Sequence, residues 1–128
     1  LESLRGNTIL WVVQKCIENP MIVNDRKFDI RQWVLVTDWN PLTIWAYNES
    51  YIRFCVAEYD KKADTRKNHL TNHSVQKKYT DDHEEIDANM WSSQEFSDHL
   101  ENEHGSNIWK DKVWPQMKKY VKASLQSV

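Results

Sequence analysis

The sequence predicts an α+β fold, an antiparallel sheet with helices after it. Three observations predict it. Short apolar, β-rich runs separated by turn residues fill the stretch from Ile9 to Val56. Trp109, Val113, Met117, Val121 and Leu125 recur every four residues, which makes one helical stripe. Ser92 and Glu95 have the spacing of a helix capping box. The 128 residues suit one domain that buries roughly two-thirds of its unfolded surface. It divides into a strand-rich part over 9–56, loops over 57–90 and a helical part over 91–126.

In chain order, Ile9 to Ile17 reads as a buried strand ended by Glu18-Asn19-Pro20. Met21 to Val23 is a brief strand, with a turn at Asn24-Asp25. Phe28 to Thr37 is a long strand, and Asp38-Trp39-Asn40-Pro41 turns it back into Leu42 to Tyr47. Asn48-Glu49-Ser50 reads as another turn and Tyr51 to Val56 as a further strand. Residues 58–68 are a polar loop and residues 80–88 an acidic one. A helix starting at Ser92 runs to about Glu103 and stops near Gly105. The second helix covers Asn107 to Leu125, with a kink or restart at Pro115.

The bulk numbers exclude several classes. With 40% hydrophobic and 28% charged residues the chain is globular. A net charge of −2 argues against a general nucleic-acid binder. No apolar run approaches membrane-spanning length, and no secretory leader precedes the first strand. Leu1 in place of Met suggests a processed chain or a piece of a longer one. Cys16 and Cys55 have apolar neighbours and suit reduced core thiols of an intracellular protein. Seven Trp residues are many for this length, and most are expected in the core or in groove walls.

Lys27-Phe28-Asp29-Ile30-Arg31 carries the most information. On a strand, Lys27, Asp29 and Arg31 share one face, with Phe28 and Ile30 on the other. Plus, minus, plus on one face suits a pocket for an anionic ligand. It equally suits a solvated sheet face with cross-strand ion pairs. Only Gly6 and Gly105 are glycines, so a Gly-rich phosphate loop is excluded. Any nucleotide must be held by side chains and by a linker such as Gln14-Lys15-Cys16-Ile17, whose peptide groups can read an adenine edge. The plain alternative is a buried strand.

Arg53 lies among Tyr51, Ile52, Phe54 and Cys55. A guanidinium there needs a partner. That partner is either a bound carboxylate, held in bidentate fashion, or a structural ion pair with Asp29 or Glu49. His69-Leu70-Thr71-Asn72-His73-Ser74 gathers small hydrogen-bonding groups in a loop. His69 and His73 have helical metal spacing, but Thr71-Asn72 is poor helix sequence and no third ligand accompanies them, so no metal site is assigned. His83, His99 and His104 read as surface residues. Lys110, Lys112, Lys118, Lys119 and Lys122 give the last helix a basic outer face, either simply solvated or attractive to an acidic partner.

Four of these motifs, in this order, resemble one family. The stretch from Trp11 to Pro20 is similar to the nucleotide-hinge strand of the tubulin tyrosine ligase-like enzymes. Lys27-Phe28-Asp29-Ile30-Arg31, Tyr51-Ile52-Arg53-Phe54 and His69-Leu70-Thr71-Asn72 follow in that family's order. The matched core spans about residues 9–78. The stretches from Thr37 to Thr43 and from Asn89 to Gln94 resemble the glycine ligase branch in particular.

The resemblance implies the central and C-terminal portion of an ATP-grasp fold. It implies an ATP-dependent ligase in which ATP phosphorylates a glutamate side chain of a tubulin tail and glycine then attacks the acyl phosphate. A tubulin glutamate ligase, or a non-catalytic microtubule-binding scaffold, is the neighbouring expectation. On the family's pattern Gln14, Lys15, Cys16 and Ile17 contact adenine, while Lys27, Asp29, Thr71 and Asn72 hold ATP. Arg31 faces the phosphates as the catalytic charge. Arg53, His73 and Ser74 form the amino-acid site. ATP, magnesium, glycine and tubulin are the implied ligands and partners, with no nucleic acid and no membrane. The implied location is the cytoplasm, at the cytoskeleton of cilia.

Two departures stand out. Cys16 occupies a hinge position where the family commonly has Tyr. The family's acidic magnesium-binding segment, an Asp followed by Glu-x-Asn, does not occur before Val128, and the amino-terminal lysines that bind phosphate are also not in the chain. The 128 residues alone are therefore expected to be inactive, with the metal ligands outside them.

Overall fold

The computed structural model describes residues 13, 15, 17–63, 65–79 and 89–127. Four strands, β1 (Ile22–Val23), β2 (Arg26–Trp39), β3 (Leu42–Phe54) and β4 (Met90–Ser92), form one antiparallel meander in the order β1-β2-β3-β4. The β1–β2 turn is Asn24-Asp25, as expected. Both residues have positive φ, 49° and 58°, which a tight two-residue hairpin requires and which Asn and Asp tolerate best after Gly. Trp39 pairs with Leu42 across the Asn40–Pro41 turn, whose peptide bond is cis.

The expected turn at Asn48-Glu49-Ser50 is overturned. β3 runs unbroken, and these residues sit at a bulge. Gln32 pairs with Ser50 and Val34 with Ala46, so Tyr47, Asn48 and Glu49 lie opposite Trp33 alone. Gln32 holds the bulge together. Its Nε2 donates to the carbonyls of Tyr47 (2.7 Å) and Trp33 (2.8 Å), and the Ser50 hydroxyl donates to its Oε1. A polar triplet marks residues that leave the ladder, and a bulge needs this as much as a turn does. β4 is a second correction. It falls across the expected boundary between loop and helical part and pairs Trp91 with Ile52.

The helices follow the sequence more closely. In the expected loop, two single turns form, α1 (Arg66–His69) and α2 (His73–Gln76). α3 (Ser93–His104) has Ser92 as its N-cap, with both halves of the capping box present. It ends at Gly105, whose φ of 66° is left-handed. The Ser92 backbone N–H, and then its hydroxyl, hold the Glu95 carboxyl below the ordinary carboxylate range. The last helix stays continuous but changes from π to α winding just before Pro115, which lacks an N–H to donate. Trp109–Val113 is a π-helical turn and α4 is Trp114–Gln126.

The core joins the sheet to α3. Val23, Ile52, Phe54, Phe96 and Leu100 are buried, with Phe28, Ile30, Trp91, Ile108 and Trp109 packed against them. Phe28 lies 5.7 Å from Phe54 and 5.0 Å from Phe96, and Phe54 lies 4.8 Å from Trp91, between ring centroids. Cys55 is also buried, and burial pushes its thiol up to about 11. The π-helical turn and α4 together present the expected stripe, with Trp109, Val113, Met117, Val121 and Leu125 half-buried, but none of their residues is fully covered.

Most of the expected strand from Ile9 to Ile17 lies outside the described residues. Val13 and Ile17 are 95% and 75% exposed, and the described positions between Val13 and Met21 join no strand. Among the described tryptophans, Trp91 and Trp109 pack against the core and Trp114 lines a groove between α4 and the hairpin. Trp33, Trp39 and Trp45 are exposed, and Trp91, Trp109 and Trp114 are half-buried. Trp33 and Trp45 lie on the sheet face opposite the core, which leaves them exposed. No helix among the described residues is long and apolar enough to cross a membrane.

Candidate functional site

Alternation along β2 separates two faces. Phe28 and Ile30 enter the core, so Lys27, Asp29 and Arg31 face the other way. Register brings Arg53 directly opposite Asp29, and Tyr51 opposite Arg31. Arg53 is 13% exposed at its side chain and Asp29 40%. Arg53 grips Asp29 in bidentate fashion, Nε to Oδ1 at 2.9 Å and a terminal nitrogen to Oδ2 at 2.5 Å.

Burial alone would raise the Asp29 carboxyl. Hydrogen bonds from Arg53 and from the Thr71 hydroxyl, with the charges of Arg53 and Arg31, outweigh it and hold the group below its usual range. The same hydrogen bond raises Arg53, against the opposing effect of burial. The structural ion pair considered for Arg53 is therefore present, with Asp29 and not Glu49. It does not exhaust the guanidinium. Five N–H donors are available and Asp29 takes two, which leaves donors for a second anion.

Lys27 is half-buried and Arg31 exposed, and neither makes an ion pair among the described residues. Arg53, Thr71 and His73 line a small cavity together with Gln76, Asn89 and Met90. Its volume is about 20 Å³, room for a water-sized occupant. Asn72 and Ser74 are exposed beside it, and Asn72 is the N-cap of α2. The structure thus gathers Lys27, Asp29, Arg31, Arg53, Thr71 and His73 on one side of the sheet. It does not bring Lys15 or Ile17 to any partner strand. Gln14 and Cys16 lie outside the described residues, as does the acidic loop at 80–88. Among the described residues no three His, Cys, Asp or Glu side chains converge as a metal site. His69 instead contacts the Ala63 carbonyl and the Tyr59 ring edge.

The sequence reading missed Gln76. It is buried and ties the Thr71 segment to the end of β3. Its Oε1 accepts from the Val56 N–H at 2.8 Å, and its Nε2 donates to the carbonyls of Lys67 and Leu70. A lone Gln in a polar loop gives no local signal of this. Gln76→Ala leaves a buried N–H and two carbonyls unpaired, so about 2–3 kcal/mol of stability is expected to be lost. Urea unfolding of the full-length variant measures this, and a loss below about 0.5 kcal/mol would contradict the clamp.

A second missed feature continues the same face. Beyond Arg31 it carries Trp33 and Leu35 of β2, with Trp45 and Tyr47 of β3, all exposed. Leu35 pairs directly with Trp45. The charged half of the sheet thus passes into an aromatic half, the type of surface that marks an interaction site.

Comparison with known proteins shows the family. The model of the tubulin-tyrosine ligase family matches residues 5–128. Tubulin glycylase 3C of Tetrahymena thermophila is 42% identical over the whole chain. Protein monoglycylase TTLL8 of Mus musculus is 45% identical over 87% of it, and tubulin monoglycylase TTLL3 of Homo sapiens 43% over 99%. The chain spans only 12%, 14% and 18% of those three proteins. The order of the motifs, the shared face they occupy and a match over nearly the full length lead to one assignment: the chain belongs to the tubulin-tyrosine ligase family.

Proposed function

We propose that residues 1–128 are part of an ATP-grasp ligase domain that adds glycine to glutamate side chains in the C-terminal tails of tubulin. The observation that carries this reading is the clustering of Lys27, Asp29, Arg31, Arg53 and Thr71 on one sheet face, in a chain whose relatives are named glycylases. ATP fits that face as a substrate, because Lys27 and Arg31 offer two cations free of ion pairs among the described residues. When bound, ATP supplies the phosphoryl group that activates the glutamate carboxylate.

Lys27 and Arg31 orient the phosphates, and Arg31 meets the charge that builds up during transfer. Asp29, fixed by Arg53 and Thr71, accepts hydrogen bonds from the nucleotide's sugar, with Asn72 beside it. Gln14 to Ile17 contact adenine. Arg53 holds the carboxylate of the incoming amino acid with the donors Asp29 leaves free, and His73 and Ser74 flank the amine. Magnesium neutralises phosphate charge in such chemistry. The described residues offer no cluster that fits it, so no step here uses a metal. A ligase for tubulin tails works at the cytoskeleton, and we place this one at ciliary microtubules.

The test is mass spectrometry of tubulin incubated with full-length protein, ATP and an equimolar mixture of glycine and glutamate. Added glycyl residues on tail glutamates are expected. Added glutamyl residues alone would reassign the amino acid, and no addition would reject the ligase.

A further inference from the structure

The last helical segment stands apart in charge. Residues 107–127 carry five lysines and one acid, Asp111, while the rest of the chain has an acidic excess. The five are not equivalent. Lys110, Trp114, Lys118 and Lys122 follow at four-residue spacing and form one edge, and Lys112 and Lys119 lie off it. Trp114 and Lys118 touch, the ammonium lying 5.6 Å from the ring centroid. None of these lysines makes an ion pair among the described residues.

Two concavities flank this edge. Between α4 and the core side of the hairpin runs an apolar groove of about 190 Å³. Val34, Ile44 and Ala46 form its floor, Met117 and Val121 its wall, and Lys118 and Lys122 its rim. At the other end, Lys110 and Trp114 border an open polar cleft of about 420 Å³, lined by Asn48, Gln94, Ser97 and Asn107. Ser97, on its lining, is 6% exposed. Trp114 borders both spaces.

We infer that this edge is a docking track for an acidic peptide. The lysines pair with carboxylates, the groove takes one apolar side chain, and the cleft hydrogen-bonds the peptide beyond it. Charge complementarity selects this occupant. A second copy would set one lysine edge against another, and a chain with a net charge of −2 carries no general attraction for nucleic acid. The track lies on the core side of the hairpin, opposite the face of Lys27, Asp29 and Arg31. It therefore holds the peptide without taking part in transfer. That a tubulin tail is the natural peptide rests on the proposed ligase; the acidic-peptide chemistry does not.

The test is fluorescence anisotropy with full-length protein and a labelled glutamate-rich peptide containing one leucine, without ATP or glycine. Lys118→Glu/Lys122→Glu is expected to weaken binding by about tenfold or more. Lys112→Glu/Lys119→Glu makes the same charge change off the track and is expected to weaken it by less than about threefold. Raising salt is expected to weaken wild-type binding. An equal loss in both pairs, no loss in the first, or equally tight and equally sensitive binding of an oligonucleotide would overturn the inference. Because no ligation is measured, failure of the ligase reading and failure of the track give different results.

Discussion

Arg31→Ala in the full-length protein is expected to slow ligation by about two orders of magnitude or more. Arg31 is exposed, on the same face as Lys27 and Asp29, and its register partner is Tyr51. It packs against nothing in the core, so its removal is expected to change stability by less than about 0.5 kcal/mol. A charge fixed where negative charge develops contributes to the transition state far more than to the fold. Single-turnover ATP hydrolysis coupled to glycine transfer, beside a melting curve, separates the two. Near-normal turnover would remove Arg31 from the chemistry, and a collapse in stability would make it a folding residue.

Arg53→Ala is expected to raise the KM for glycine by about ten- to a hundredfold, the worth of charge-assisted hydrogen bonds of about 1.5–3 kcal/mol. The variant also frees Asp29 from its bidentate partner. Asp29→Asn separates the two roles, because it disturbs the pair and leaves the guanidinium in place. If Arg53 served only Asp29, both variants would lose stability alike and neither would single out glycine. If Arg53 holds the amino acid, only its removal moves the glycine KM strongly. The pair also sets an acid limit. Asp29 has its carboxyl held below the ordinary value of 3.8, so its contribution to stability is present above that value. It is lost as pH falls through the lowered folded value, and acid titration of Arg53→Ala is expected to lack that loss.

Local chemistry made much of the fold legible. The Ser92 and Glu95 cap, the Gly105 stop, the Asn24-Asp25 turn and the α4 stripe are each encoded within a few residues. They appear where the sequence puts them. Elements that depend on distant partners were not legible. β4 exists because Trp91 finds Ile52, and the polar triplet Asn48-Glu49-Ser50 stays in a strand because Gln32 reaches across to hold it. Which tryptophans are covered depends likewise on distant partners: Trp91 and Trp109 meet the core, while Trp33 and Trp45 stay exposed on the opposite face.

The site divides in the same way. Strand alternation placed Lys27, Asp29 and Arg31 on one face, and two candidate partners were left open for Arg53. Register decided for Asp29. The clamp by Gln76 and the aromatic extension of the face at Trp33 and Trp45 depend on contacts between elements, which no local pattern announces.

The central claim is that this sheet face belongs to a ligase that joins glycine to tubulin tails. Mass spectrometry of tubulin treated with full-length protein, ATP, glycine and glutamate tests it most directly. Glycyl residues on tail glutamates, dependent on ATP and lost in Arg31→Ala, are the predicted result. Unmodified tails, or tails carrying glutamate in place of glycine, would contradict it.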